Sequence, residues 1–201
     1  MKYLISILIP TLIERKNEYG IMLHDLYRQV EKHNLKEKVE IISICDDRSI
    51  SLCEKRNTLQ KLCSGKYFMH LDDDDELSCD YCKTIIDHIE ELDKEVDVIG
   101  YDQLAKVKGD RFIVKPHLDA NFGLNPSNKK TKIPEFFRYP WQYNLWNERF
   151  KTVYRTDSDT NAREDQNWLM KVRLEYPKNM SYIPFIGHTY NFDDPEKSTC
   201  Q

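Results

Sequence analysis

The sequence predicts an α/β fold with a mostly parallel central sheet flanked by helices, and three observations carry the prediction. Apolar runs over Tyr3–Ile9, Val39–Cys45 and Tyr67–Leu71 have the length and composition of strands buried on both faces. Segments with apolar residues at helical spacing stand between them. Each run ends in polar residues, at Pro10-Thr11, Asp46-Asp47 and Asp72 to Asp75. In a parallel α/β sheet, ligands gather at the carboxyl ends of the strands.

Along the chain, Pro10 is expected to stop the first strand, because proline has no N–H for the ladder. The polar turn Glu14 to Glu18 leads into a helix over Tyr19–Lys32, where Ile21, Leu23, Leu26, Tyr27 and Val30 recur at helical spacing. A second helix over Ser51–Leu62 carries Leu52, Leu59 and Leu62 and is expected to end through Gly65. Ser78 is the expected N-cap of a third, from Cys79 to about Leu92, with Tyr81, Ile85, Ile86 and Ile89 on one face. Val96–Tyr101 reads as a fourth strand.

Beyond Tyr101 the alternation stops. Leu104–Val114, broken at Lys108-Gly109-Asp110, reads as a hairpin, and Ala120–Pro134 as a loop rich in Asn, Pro, Gly and Lys. Tyr139–Phe150 concentrates aromatic residues, among them Trp141, Tyr143 and Trp146. Glu164–Tyr176 has helical spacing at Trp168, Leu169 and Val172, and Ser181–Ile186 is a short strand ending at Gly187-His188. There is no internal repeat, so a single domain over 1–201 is expected, with a nucleotide-type half over 1–101 and an irregular half over 102–201.

With 40% hydrophobic and 32% charged residues, the composition is that of a soluble protein. A net charge of −4 gives no global reason to expect nucleic acid, and Lys129, Lys130 and Lys132 read as a solvated loop. The apolar run at Met1–Pro10 is too short to span a membrane and lacks a signal-peptide cleavage site; no other segment reaches spanning length. Cys79 and Cys82 have Cys-x-x-Cys spacing, but no second pair or histidine pair completes a zinc site. The six cysteines therefore read as reduced thiols of a cytoplasmic protein.

Asp72 to Asp75 carry the chemistry. Four adjacent carboxylates repel one another, so at the end of a buried strand they either sit in water or hold a cation. Hard oxygen ligands suit Mg²⁺, Mn²⁺ or Ca²⁺. The six glycines form neither Gly-x-Gly-x-x-Gly nor a P-loop.

The succession Ile-Leu-Ile-Pro-Thr, Ile-Cys-Asp-Asp-Arg-Ser, Lys-Arg-Asn and Gly-Lys-Tyr-Phe-Met-His-Leu-Asp-Asp-Asp-Asp resembles the family-2 glycosyltransferases of the GT-A fold, a Rossmann-like nucleotide-diphospho-sugar transferase fold. The resemblance is strong from Tyr3 to about Leu92 and is confined to isolated points beyond. Compact versions of this family in large DNA viruses and phages look similar. The resemblance implies an inverting transferase that uses Mn²⁺ or Mg²⁺. It would move a sugar from a nucleotide-sugar donor, a UDP-sugar such as UDP-glucose being favoured, to a hydroxyl of a glycan or glycoprotein. The half over 102–201 becomes the acceptor and catalytic half.

Residue by residue, the resemblance implies that the Pro10 backbone and Thr11 line the nucleotide pocket and that Asp47, alone or with Asp46, bonds the base. Arg56 would sit beside the base or its phosphates, and Asp73 near the ribose. Asp72 and Asp74 would be the Asp-x-Asp metal pair, with Asp74 in direct contact; Asp75 would stand behind the metal or in water. The run Arg163-Glu164-Asp165 to Trp168 matches the acidic pair that opens a late helix in the family. Asp165 is then the base and Glu164 its neighbour or an acceptor contact; otherwise both only complement a helix dipole. His188 would contact the metal or diphosphate, while His70 points elsewhere by strand alternation. Trp141, Tyr143 and Trp146 are either a stacking surface for a sugar or core. The excursion between Asp46 and Arg56 is shorter than in most relatives. The same acids would also serve a metal-dependent nucleotidyltransferase or phosphohydrolase, or a non-catalytic nucleotide- or Ca²⁺-binding module.

Overall fold

The structure is a computed structural model that describes residues 2–126, 132–155 and 164–192. Lys129, Lys130, Arg163 and Cys200 lie outside the described residues. Strands β1 (Tyr3–Leu12), β2 (Val39–Asp46) and β3 (Gly65–His70) run parallel, with β1 between the other two. Helices α1 (Lys16–Lys32) and α2 (Leu52–Leu62) make the connections. Side-chain alternation on β1 divides the core into two layers. Ile5, Ile7 and Ile9 pack with Met22, Leu26 and Val30 of α1 and with Ile85 and Ile86 of α3 (Tyr81–Glu91). Leu8 points the other way, into a layer with Leu59, Phe68, Trp146, Trp168 and Leu169.

The second half completes the sheet. β5 (Val98–Val107) turns at Lys108 and Gly109, both at positive φ, into β6 (Asp110–Pro116). The expected strand at Val96–Tyr101 and the first arm of the expected hairpin are thus one continuous strand. β9 (Leu145–Asn147) fits antiparallel between β3 and β5. α4 (Glu164–Leu174) covers the second layer, and β10 (Met180–Phe192) pairs parallel with β5 along its whole length. β10 does not stop at Gly187-His188: after register shifts between Ile183 and His188, the ladder continues from His188 to Phe192. Short strands β4 (Glu76–Leu77), β7 (Asn125–Pro126) and β8 (Glu135–Arg138) complete a ten-stranded sheet whose two longest ladders, β1–β2 and β5–β10, are parallel. β7 and β8 fall next to or inside the stretch expected to be a loop. No helix of the described residues is long and apolar enough to cross a membrane. Cys45, Cys53, Cys63, Cys79 and Cys82 are free thiols.

Four local expectations are corrected. Pro10 does not end β1, which pairs with β2 as far as Leu12. Leu8 gives its carbonyl to Leu71 on the β3 side, and by alternation Pro10 faces that same side, where the β3 ladder has already finished; no hydrogen bond is lost there. The buried stripe of α1 is Met22, Leu26, Gln29 and Val30, which leaves Ile21 75% and Tyr27 50% exposed. Ser78 does not cap α3 with its side chain. Gln29 reaches across from α1 to take the Cys82 N–H and donates to the Ser78 carbonyl, while the Asp80 carboxylate at the N-cap is drawn to Lys32 and His33.

Gly65 opens β3 instead of closing α2. A Cβ there would lie 2.5 Å from Ser6 Oγ and 2.7 Å from backbone atoms of Ile5 and Ser6, so the position demands a close approach of two strands. Gly65→Ala is expected to destabilise the protein by about 1–3 kcal/mol, the usual cost of overpacking, read as a fall in the urea midpoint at unchanged slope. An unchanged midpoint would show that the two strands part without cost.

Candidate active site

The ends of β1 and β3 and the start of α4 open into one cavity of about 530 Å³. Pro10, Thr11, Arg56 and Asp72 to Asp75 line it from the first half, and Glu164, Asp165 and His188 from the second. Asp46 and Asp47 do not line it.

The four acids begin where β3 ends. Leu71 is wholly buried and bonded to Leu8, and the Asp75 N–H closes a turn on the Asp72 carbonyl at 3.1 Å. That turn sends the carboxylates in different directions. Asp73 is buried, accepts from Thr11 Oγ1 at 2.7 Å and pairs with Arg15 at 2.6 Å. Burial raises its pKa to about 6, against the opposing pull of Thr11 and Arg15. Asp74 shares Arg15, also at 2.6 Å, and remains open to solvent. Burial works against the Arg15 charge, and Asp73 and Asp74 more than restore it. Asp72 pairs with Arg56 at 2.9 Å. One oxygen each of Asp72 and Asp74 is free of hydrogen bonds among the described residues.

Asp75 is not solvated. It is buried, and its carboxylate meets His188 Nε2 at 2.8 Å. Burial raises its pKa while His188 opposes the shift. The second ring nitrogen of His188 faces Gln103 at 3.0 Å, and its ring stacks on Tyr143 with centroids 4.5 Å apart. Both nitrogens are therefore engaged by protein groups: His188 braces Asp75, and direct metal contact would require it to give up one partner. His70, expected to point elsewhere, reaches the cavity wall; burial and the nearby Arg56 charge hold its pKa well below the ordinary value, keeping it neutral.

The basic residues explain the remaining departures. Lys55 forms an ion pair with Asp46 and donates to the Thr11 carbonyl at 2.9 Å, and Asp46 also accepts from Ile50 N at 2.7 Å. Asp46 is thus spent on tying the end of β2 to β1 and α2, so it is not available to a base. Asp47 is exposed beside Ser49, outside the cavity wall. Arg56 is 2% exposed and joins Asp72 to Glu164, at 2.7 Å from the latter, so it bridges the two halves from beneath the cavity floor. Burial raises the Glu164 pKa and Arg56 counters it.

Asp165 is partly open. Its carboxylate accepts from Trp141 Nε1 at 3.1 Å and from the Gln166 N–H at 2.7 Å. Of the aromatic trio, Trp141 and Tyr143 face the cavity, whereas Trp146 is fully buried core. The residues that sequence reasoning missed are Arg15, Arg48, Lys55, Gln103 and Arg138, all on the wall. Arg48 and Lys55 stand inside the runs Ile-Cys-Asp-Asp-Arg-Ser and Lys-Arg-Asn, and Arg15 is a cation in the polar turn after β1; Gln103 and Arg138 sit in no motif.

Among the described residues, no three His, Cys, Asp or Glu side chains converge as a metal cage. A magnesium-type site takes one or two carboxylates and completes its shell with substrate phosphates and water. The free oxygens of Asp72 and Asp74 are donors of that kind.

No family model matches the sequence, and no curated protein matches it. Solved structures do. A crystal structure of S. aureus TarS 1–349 matches with a TM-score of 0.60 and 15% identity over 94% of this chain and 60% of that one. TarS 1–349 in complex with UDP-GlcNAc matches at 0.58 and 15%, over 92% of this chain and 58% of that one. The complex with UDP matches at 0.59 and 16%, over 96% and 61%. This chain spans about three fifths of those structures. The likeness does not extend to a viral or phage type. It concerns architecture: the chain has a GT-A-like α/β fold, a mostly parallel central sheet flanked by helices.

Proposed function

We propose that the protein is a metal-dependent inverting glycosyltransferase that moves one sugar from a nucleotide donor, a UDP-sugar such as UDP-glucose being favoured, to a hydroxyl of a glycan or glycoprotein in the cytoplasm. One observation carries the reading. A single cavity joins Thr11 at the end of β1, the Asp72–Asp74 turn after β3 and the acidic start of α4. The TarS neighbour that binds UDP-GlcNAc has the same architecture and supports a nucleotide-sugar donor.

In this reading Asp72 and Asp74 hold Mn²⁺ or Mg²⁺, which when bound stabilises the charge growing on the departing diphosphate. Arg15, shared between Asp73 and Asp74, places a cation at the same end. Asp165 removes the proton from the acceptor hydroxyl. The hydroxyl oxygen forms a bond to the anomeric carbon as the bond to the diphosphate breaks, and the nucleoside diphosphate leaves. Glu164 is bound to Arg56 inside the protein, which leaves Asp165 as the carboxylate free to act as base.

Melting in the presence of UDP and Mn²⁺ tests this directly. At a hundredfold excess of UDP over its Kd, stability rises by about 2.7 kcal/mol, roughly 5–11 °C for a chain of this size. UDP alone produces much less. Asp74→Asn removes the metal-dependent part. Absence of any shift with every nucleoside diphosphate plus Mn²⁺ would sink the proposal, and release of pyrophosphate from a nucleoside triphosphate would replace it with nucleotidyl transfer.

A further inference from the structure

The cations of the cavity wall are not equivalent. Arg15, Arg48, Lys55 and Arg56 each hold a carboxylate. Arg138, at the end of β8, holds none among the described residues. Its Nη2 donates to Tyr143 Oη at 2.9 Å and to Gln103 Oε1 at 3.3 Å, both neutral, and its guanidinium lies 4.4 Å over the Trp141 ring. Its Nε is buried and, like that of Arg56, has no hydrogen-bond partner among the described residues. A partly buried guanidinium that no carboxylate neutralises is a costly arrangement unless an anion completes it.

The position of Arg138 points to the ligand. The indole it covers is the one that donates to Asp165, so the cation and the proposed base are joined through a single ring. The acids that would meet the diphosphate already have Arg15 and Arg56 among them. We propose that Arg138 binds an anionic group, a carboxylate or phosphate, on the acceptor, and that the acceptor is therefore an acidic or phosphorylated sugar. The inference rests on the glycosyl-transfer reading. A guanidinium fork suits either anion, through two parallel hydrogen bonds. The other source of the same chemistry is the donor diphosphate, and the test separates the two.

The probes are glucose 6-phosphate and glucuronate, with glucose as the neutral control, titrated by nuclear magnetic resonance into protein with and without UDP and Mn²⁺. The charged sugars are expected to bind at least about tenfold tighter than glucose, as hydrogen bonds to a charged group allow. Arg138→Gln brings them to the level of glucose and leaves UDP affinity within about twofold, which also shows that the variant is folded. Arg138→Lys keeps the charge without the fork and falls between. Equal binding of charged and neutral sugars by the unsubstituted protein overturns the proposal. So does an Arg138→Gln variant that loses UDP but keeps the charged sugars, since Arg138 would then belong to the donor. If UDP does not bind at all, the titration without nucleotide still reads the charged-sugar preference, so the nucleotide reading falls separately.

Discussion

Replacing Asp165 with Asn is expected to slow sugar transfer by roughly two to four orders of magnitude, the usual contribution of a positioned general base, while UDP binding stays nearly intact. The structure sharpens the choice between the two acids that open α4. Glu164 is 5% exposed and its carboxylate is taken by Arg56, so it cannot approach an acceptor without abandoning a buried charge. Among the described residues Asp165 is held by neutral donors, the Trp141 indole and the Gln166 amide, which fix its direction. Asparagine keeps the shape and an oxygen for one of these bonds but cannot take the proton. Single-turnover transfer and UDP affinity, measured on the same preparation, separate the roles. A loss of both would move Asp165 to the donor side, and an unchanged rate would place the base elsewhere.

The parts of this site that the sequence discloses are those carried by contiguous residues. A buried strand followed by four acids can be read along the chain, because burial and charge are written in adjacent positions. The same is true of Ser51 with Glu54, whose reciprocal capping box fixes the start of α2. The fates of the individual acids cannot be read in this way, because their partners come from far away. Asp75 and His188 are 113 residues apart, and Arg56 and Glu164 are 108 apart. Asp46 and Asp47 are adjacent and chemically identical, yet Lys55, one helical turn into α2, takes the first into a buried ion pair while the second stays exposed. The phase of α1 is hidden for a related reason. Gln29 looks polar but is buried because its amide serves α3, while the apolar Ile21 and Tyr27 stay largely exposed. The length of β10 depends on β5, and a ladder between strands so distant in sequence leaves no local trace beyond the short apolar run.

Arg56→Met is expected to destabilise the protein by about 3–5 kcal/mol, the cost of stranding one member of a buried ion pair, or roughly 6–20 °C in melting temperature. Methionine replaces most of the volume, so packing over the Tyr154 ring changes little; the guanidinium lies 5.4 Å from that ring. What is lost is the bridge from Asp72 to Glu164. The two carboxylates do not suffer equally. Asp72 has a side chain 40% exposed, so water can replace the guanidinium, whereas Glu164 is sealed inside. Most of the cost therefore falls on Glu164, and the double variant Arg56→Met with Glu164→Gln should recover much of it, because a neutral amide needs no cation. Adding Asp72→Asn to Arg56→Met should recover little. If the Glu164→Gln double variant is as unstable as Arg56→Met alone, the contribution of Arg56 lies in its contact with Tyr154 and not in its charge. The same bridge ties the first turn of α4 to the turn after β3. A recovered double variant should consequently regain stability before it regains transfer, since Asp165 is oriented only when the first turn of that helix is held against β3.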